Sequence, residues 1–276
     1  MKQFKLMMLG LALSAGFTTQ MQAQEAQSFV HQQSNTEDYI WPTDPQVLTK
    51  LKHWQDQKFG VLMHWGLYSV PGVVESWSIC SEDWIVRERK PTYEEDKAWY
   101  WSQKDSLNPV NFDPGKWADV MKKAGMKYMI FTTKHHDGFC MFDTKYTDFS
   151  IAHGPFGKDP RHNIAKEVFD AYRNKGFMIG CYFSKPDWHS KWFWNPYYAT
   201  PNRRINYKKK QHPDWWQNYR KFTQNQLNEL TTDYGNIDIL WLDGGWITGD
   251  EIGLDTILVD ARKRNPGMIS VDRTIR

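Results

Sequence analysis

Residues 237–245 (IDILWLDGG) form an apolar, β-branched run that stops on a carboxylate and two glycines. A short run that is apolar throughout, rather than alternating, reads as a strand buried on both faces, as in a parallel sheet. Four more runs share the form. Residues 59–66 end on His64, Trp65 and Gly66, and residues 128–138 on His135, His136 and Asp137. Residues 177–189 end on Asp187, Trp188 and His189, and residues 268–273 on Asp272 and Arg273. One such ending is a helix cap or a turn. Five together gather polar groups along the carboxyl edge of a sheet, where β/α-barrel enzymes keep their active sites. Gly244 and Gly245 leave room for a ligand to approach the backbone beside Asp243.

The intervening segments have helical spacing. Residues 114–125 place Trp117, Val120, Met121 and Ala124 on one stripe and stop at Gly125. Residues 163–176 repeat the design through Ile164, Val168, Phe169 and Tyr172. A longer helix is expected over 215–235, and another over 251–264. Strand, helix, strand is the pattern of right-handed βαβ units, so the class is α/β and the fold a (β/α)8 TIM-like barrel. A closed barrel needs eight strands and typically about 250 residues. Five are visible in 276 residues, partly because 69–114 reads as one long loop. The expectation is a barrel truncated after about five strands, an N-terminal piece of a longer protein.

The first residues, MKQFK, are basic, residues 6–17 are apolar but too short to span a bilayer, and Met21-Gln22-Ala23 offers a cleavage site. Residues 1–23 therefore read as a secretory leader, implying a secreted or periplasmic protein. Residues 24–44 read as a lead-in segment and 45–276 as the partial barrel. No other segment reads as a stable membrane span. Cys80, Cys140 and Cys181 are odd in number and irregularly spaced, which favours buried free thiols over a disulfide framework. The net charge is only +3, and the basic run 203–210 (RRINYKKK) reads as a solvated loop, so no nucleic-acid partner is expected. Many of the 15 tryptophans, Trp77, Trp84, Trp188 and Trp192 among them, lie in loops at the expected barrel mouth. Flat rings carrying an N–H suit the faces and hydroxyls of sugars, and equally suit loop packing.

Three runs resemble one family: residues 58–71 (KFGVLMHWGLYSVP), 127–151 (KYMIFTTKHHDGFCMFDTKYTDFSI) and 238–246 (DILWLDGGW) look like the α-L-fucosidases of glycoside hydrolase family 29. The resemblance covers about residues 45–276. It implies a retaining exo-glycosidase releasing terminal α-L-fucose from fucosylated oligosaccharides or glycoconjugates, with a barrel followed by a C-terminal β-sandwich. By its motifs Asp243 matches the nucleophile, and Arg273 is a cation beside it. His64, His135 and His136 match sugar-binding histidines, and Trp241 an aromatic near the sugar. Trp77 matches a tryptophan of the first loop, with the family's preceding Glu replaced by Ser76 or displaced to Glu75. Tyr182 is a looser match. No cofactor or metal is implied, although His64, His135, His136 and Asp243 could converge on an ion. A retaining enzyme also needs a general acid about 5 Å from the nucleophile. The family supplies it beyond Arg276, and Asp137, Asp187 and Glu75 are the stand-ins within the chain. The alternative is a non-catalytic fucose-binding fragment.

Overall fold

The computed structural model describes residues 41–82 and 92–273. The expected leader, most of the lead-in segment and Trp84 lie outside these residues. The chain divides into two units, 1–42 and 43–276, and everything below concerns the second.

The second unit opens with α1 (Pro45–Gln57), which the sequence reading did not place. Its start has clear causes: the Asp44 carboxylate accepts from the N–H groups of Gln46 and Val47, and Pro45 occupies the first turn. Then come β1 (Gly60–Met63), α2 (Tyr93–Ser102), α3 (Pro114–Lys123), β2 (Tyr128–Lys134), α4 (Ile164–Asn174) and β3 (Met178–Ser184). The unit continues with α5 (Pro213–Asp233), β4 (Ile239–Asp243), α6 (Gly249–Ile252), α7 (Leu254–Arg264) and β5 (Ile269–Asp272). All five strands are parallel, in spatial order β1-β2-β3-β4-β5. This is the α/β layout expected of consecutive barrel strands.

Two expectations are corrected. The stretch 69–114 is not a plain loop, because it contains α2, started by a capping box between Thr92 and Glu95. Its aromatics Trp99, Tyr100 and Trp101 are consecutive, so no apolar stripe announced it. The helix expected over 251–264 is two helices, since Gly253 takes a left-handed turn at φ 72° between α6 and α7.

The strands sort their side chains by parity. Met129, Phe131, Ile179, Cys181, Phe183, Leu240 and Leu242 pack outward into the main core with the helices. Ile130, Met178, Tyr182, Ile239 and Ile269 point inward. Val47, Leu51 and Trp54 of α1, spaced i, i+4, i+7, close over this inner cluster. Val47 is only 3% exposed and contributes about 1.5–3 kcal/mol by its burial. The three cysteines are free and buried, as expected. Among the described residues no helix is long and apolar enough to cross a membrane.

Between β2 and β3 the register slips. Thr132 pairs with Tyr182 but Lys134 pairs with Phe183, so Thr133 is an extra residue on β2. The bulge is held by the Thr133 hydroxyl, which donates to the Tyr182 carbonyl at 2.7 Å.

Candidate active site

Asp243 is the last residue of β4, with its side chain 15% exposed. Three donors hold its carboxylate. The Tyr182 hydroxyl donates to Oδ2 at 2.6 Å, the Gly244 N–H donates to Oδ1 at 2.8 Å, and Arg273 Nη1 lies 3.3 Å from Oδ1. Burial and the Asp243 charge push the Tyr182 phenol well above its ordinary pKa, so it remains a donor. The turn after Asp243 requires glycine: Gly244 has φ 86°, and a Cβ there would lie 2.1 Å from Pro186 Cδ.

The extra residue in β2 decides what reaches this edge. Regular alternation would send Lys134 inward with Ile130 and Thr132. Instead Lys134 is fully buried on the outer side, bonded to Asp187 at 3.0 Å and Gln226 at 2.9 Å, and His135 turns toward Asp243. His136 follows in the turn, which leaves the two imidazoles 4.2 Å apart, centroid to centroid.

His64 and His136 are held by the same device. The Ser184 hydroxyl donates its proton to the Pro186 carbonyl at 2.7 Å and lies 2.6 Å from His136 Nδ1. The Thr132 hydroxyl donates to the Met63 carbonyl at 2.9 Å and lies 3.2 Å from His64 Nδ1. Each hydroxyl has spent its one proton, so each can only accept from the ring. Both rings therefore carry hydrogen on Nδ1 and leave Nε2 as an acceptor. Burial depresses both imidazoles, His136 well below the usual range, and the neighbouring His135 adds to it. They stay neutral at pH 7.

His135 is engaged on both nitrogens: Ser76 Oγ bonds Nδ1, and Glu75 Oε2 lies 3.4 Å from Nε2. Ser76 and Glu75, the two residues weighed for the first-loop position, thus both contact His135. Glu75 does this with a left-handed backbone, φ 44°, costly for a non-glycine residue.

A cavity of about 490 Å³ opens above Asp243. Of the expected residues, His64, Trp77, His136, Asp243 and Arg273 line it. Tyr182 acts from beneath, through its bond to Asp243. Trp241 does not line the cavity; it packs one layer below against the inner cluster. Gly245, expected to leave room for a ligand, lines it too, as do Arg203 and Trp246, which the sequence reading missed. Arg203 came from the run read as a solvated loop. Its guanidinium carbon lies 4.8 Å from the Trp77 ring and 5.2 Å from the Trp246 ring, and its Nε bonds Glu82 at 2.8 Å. Lys209 of the same run pairs with Glu251. Trp246 had a signal, standing three residues after Asp243 in the same turn.

The stand-in carboxyls separate clearly. Asp137 is buried, accepts from the Tyr100 hydroxyl at 2.5 Å and the Phe139 N–H at 3.0 Å, and shapes the turn. Asp187 is paired with Lys134 and accepts from the N–H groups of His189 and Ser190. Only Glu75 lines the cavity, and its bond to His135 holds its carboxyl below the usual range. An ionised Glu75 cannot serve as a proton donor at neutral pH. Two donor sets, His64–Glu75–His135 and His135–His136–Asp243, have ligand atoms within 4.8 Å of one another. The same convergence of acceptors, donors and aromatic faces suits a polyhydroxylated ring.

Comparison with known proteins agrees with this geometry. The chain is 29% identical over 211 residues to the plasma α-L-fucosidase of Homo sapiens, covering 71% of this chain and 40% of that one. It is 30% identical over 207 residues to the tissue α-L-fucosidase of Mus musculus, covering 71% and 41%. Among solved structures it resembles α-L-fucosidase isoenzyme 1 from Paenibacillus thiaminolyticus, with TM-score 0.65, 32% identity, and coverage of 83% of this chain and 51% of that one. A GH29 α-L-fucosidase from Bacteroides thetaiotaomicron gives TM-score 0.62, 30% identity, and coverage of 85% and 49%. The chain thus spans about two-fifths of these curated relatives and half of these solved chains. The α-L-fucosidase family profile matches residues 26–276. With nearly the whole sequence matched and the strand edge arranged as described, this chain belongs to the α-L-fucosidase family.

Proposed function

We propose that the site belongs to a retaining exo-α-L-fucosidase acting on fucosylated oligosaccharides or glycoconjugates, with Asp243 as nucleophile. The observation that carries this reading is the triple hold on Asp243, by Tyr182, Gly244 and Arg273, at the floor of a polar cavity. Such a carboxylate is fixed in direction for attack on the anomeric carbon. The attack forms a glycosyl-enzyme ester and expels the leaving group; water then cleaves the ester with a second inversion, giving net retention. His64 and His136 present Nε2 as acceptors for sugar hydroxyls, and Trp77 and Trp246 supply apolar faces.

Protonation of a natural leaving group needs a second carboxyl. Glu75 is ionised, and Asp137 and Asp187 are committed elsewhere, so we assign the proton donor outside the described residues. A second reading, supported by the acceptors and aromatic faces of the cavity, is fucose binding without turnover. The leader-like first 23 residues support a secreted or periplasmic location, which N-terminal sequencing of the exported protein tests.

One experiment separates the two functional readings. Fluoride departs without protonation, so 2-fluoro-fucosyl fluoride tests the nucleophile without the acid. The expected outcome is one fluorofucosyl adduct by mass spectrometry, mapped to Asp243 and absent in Asp243→Ala. L-Fucose binding by calorimetry with no adduct supports the binding reading. An adduct on any other carboxylate overturns the assignment of Asp243.

A further inference from the structure

A second polar cluster shares no residue with the lining of the Asp243 cavity. Glu229 and Asp233 stand four residues apart on the last turns of α5, hence on one side of the helix. They line a cavity of about 200 Å³ that Asp143 and Lys145, from the β2–α4 connection, close from across. Three features make this grouping unfavourable as it stands. Like charges at i, i+4 repel. Carboxylates at a helix C-terminus oppose the helix dipole. Most telling, Glu229 is only 6% exposed, and while Oε1 accepts the Lys145 N–H at 3.2 Å, Oε2 is buried without a hydrogen-bond partner. A carboxylate oxygen taken from water needs a compensating charge or donor.

The compensation at hand is slight. Lys145 Nζ lies 3.8 Å from Asp233 Oδ2 but is 79% exposed, where an ion pair is weak. Three carboxylates face one lysine across the cavity, and the nearest further basic group is the His162 ring, 3.5 Å from Asp143. The lining donors are oxygens: Asp143, Glu229 and Asp233, with the Asn163 amide and the Tyr234 hydroxyl beside them. Hard oxygen donors select calcium- or magnesium-type ions over zinc. Calcium accepts six to eight oxygens in flexible geometry, water included, whereas magnesium demands a tight octahedron. The carboxylate oxygens do not converge to within 4.8 Å, so waters or rotation of the half-exposed Asp143 and Asp233 must complete a shell. That again favours the larger ion.

We propose that this cavity is a calcium site, with Glu229 Oε2 as its buried anchor and Asp143 and Asp233 as its mobile ligands. The ion joins α5 to the β2–α4 connection, the same connection that begins with His135 and His136. Calorimetric titration of the EDTA-treated 276-residue chain with CaCl2, with terbium luminescence and calcium competition alongside, tests it. Saturable binding is expected, and at a hundredfold excess over Kd the thermal midpoint rises by about 5 °C or more. Asp143→Asn, half-exposed and safe for folding, and Glu229→Gln each weaken binding at least tenfold. No saturable binding, a midpoint rise reproduced by NaCl at equal ionic strength, or binding unchanged in Asp143→Asn overturns the proposal. So does binding lost in Asp243→Asn instead, which puts the ion in the other cavity.

Discussion

Ser184→Ala tests the tautomer argument directly. In the folded protein the Ser184 hydroxyl is the acceptor for His136 Nδ1–H, since its own proton is held by the Pro186 carbonyl. Ser184 and His136 are both buried, so the variant leaves an N–H without a partner where water does not readily reach. Leaving a buried donor unsatisfied costs about 1–3 kcal/mol. For a folded unit of this size each kcal/mol lowers the thermal midpoint by about 2–4 °C, so the expected fall is about 2–12 °C. The second effect falls on the ligand. Without Ser184 the ring proton is free to move to Nε2, which turns the acceptor facing the cavity into a donor. One lost hydrogen bond is worth about 0.5–1.5 kcal/mol, so L-fucose binding weakens by about two- to tenfold. Differential scanning fluorimetry and calorimetry read the two effects separately, and long-range ¹H–¹⁵N correlation reads the tautomer. A wild-type His136 carrying its proton on Nε2 at neutral pH would falsify the reasoning outright. So would a Ser184→Ala protein with unchanged midpoint and affinity.

The desolvated histidines also set a pH dependence. Burial lowers the pKa of His64, His136 and His189 in the folded chain. Below the unfolded value of about 6.5, the unfolded chain therefore takes up protons that the folded chain refuses. Stability then declines as pH falls from about 6.5 toward the folded values, by up to ~1.4 kcal/mol per pH unit for the fully buried His136 and by less for the more exposed His64 and His189. Asp137, raised by burial, pulls the other way; urea unfolding at pH 7.0 and 5.5 gives the balance, and equal or higher stability at 5.5 contradicts the expectation. Gly138→Ala forces a side chain at φ 83° with its Cβ 2.2 Å from Asp187 Oδ1, so a loss of about 2 kcal/mol or more is expected in the same assay. Lys134→Met leaves the Asp187 carboxylate buried without its cation and is expected to cost about 3–5 kcal/mol; a loss below 1 kcal/mol removes the pair from the structural argument.

Much of this site was legible because parallel strands announce themselves. β2 and β3 are buried almost throughout, so their sequences are continuous apolar runs, and the polar residues that end them stand out. Asp243, His64, His136 and Arg273 were found that way. Arg203 was not, since a guanidinium between two indoles looks in sequence like any basic loop residue; its partners, Trp77 and Trp246, are distant in the chain. Trp241 is a different case. The family resemblance puts it near the sugar, and in the structure it stands two residues down the strand from Asp243, partly buried against the inner cluster. α1 had a readable cap at Asp44 and Pro45 and a readable stripe. Its role over the inner face depends on contacts with all of β2 to β5 and has no local signature.

The extra residue in β2 makes one position of this strand unlike its neighbours. Deleting Thr133 would close the bulge yet keep Lys134 opposite Phe183 on the outer side and His135 inward, at the cost of the bond from Thr133 to the Tyr182 carbonyl. Deleting a paired residue such as Phe131 would instead turn part of the strand over and disturb the Thr132 hydroxyl beside His64. The arrangement therefore depends on counting as much as on chemistry. Screens that vary identity alone would pass over it, whereas single-codon deletions along residues 128–136 would map it, with site geometry lost on either side of Thr133 and least disturbed at Thr133 itself.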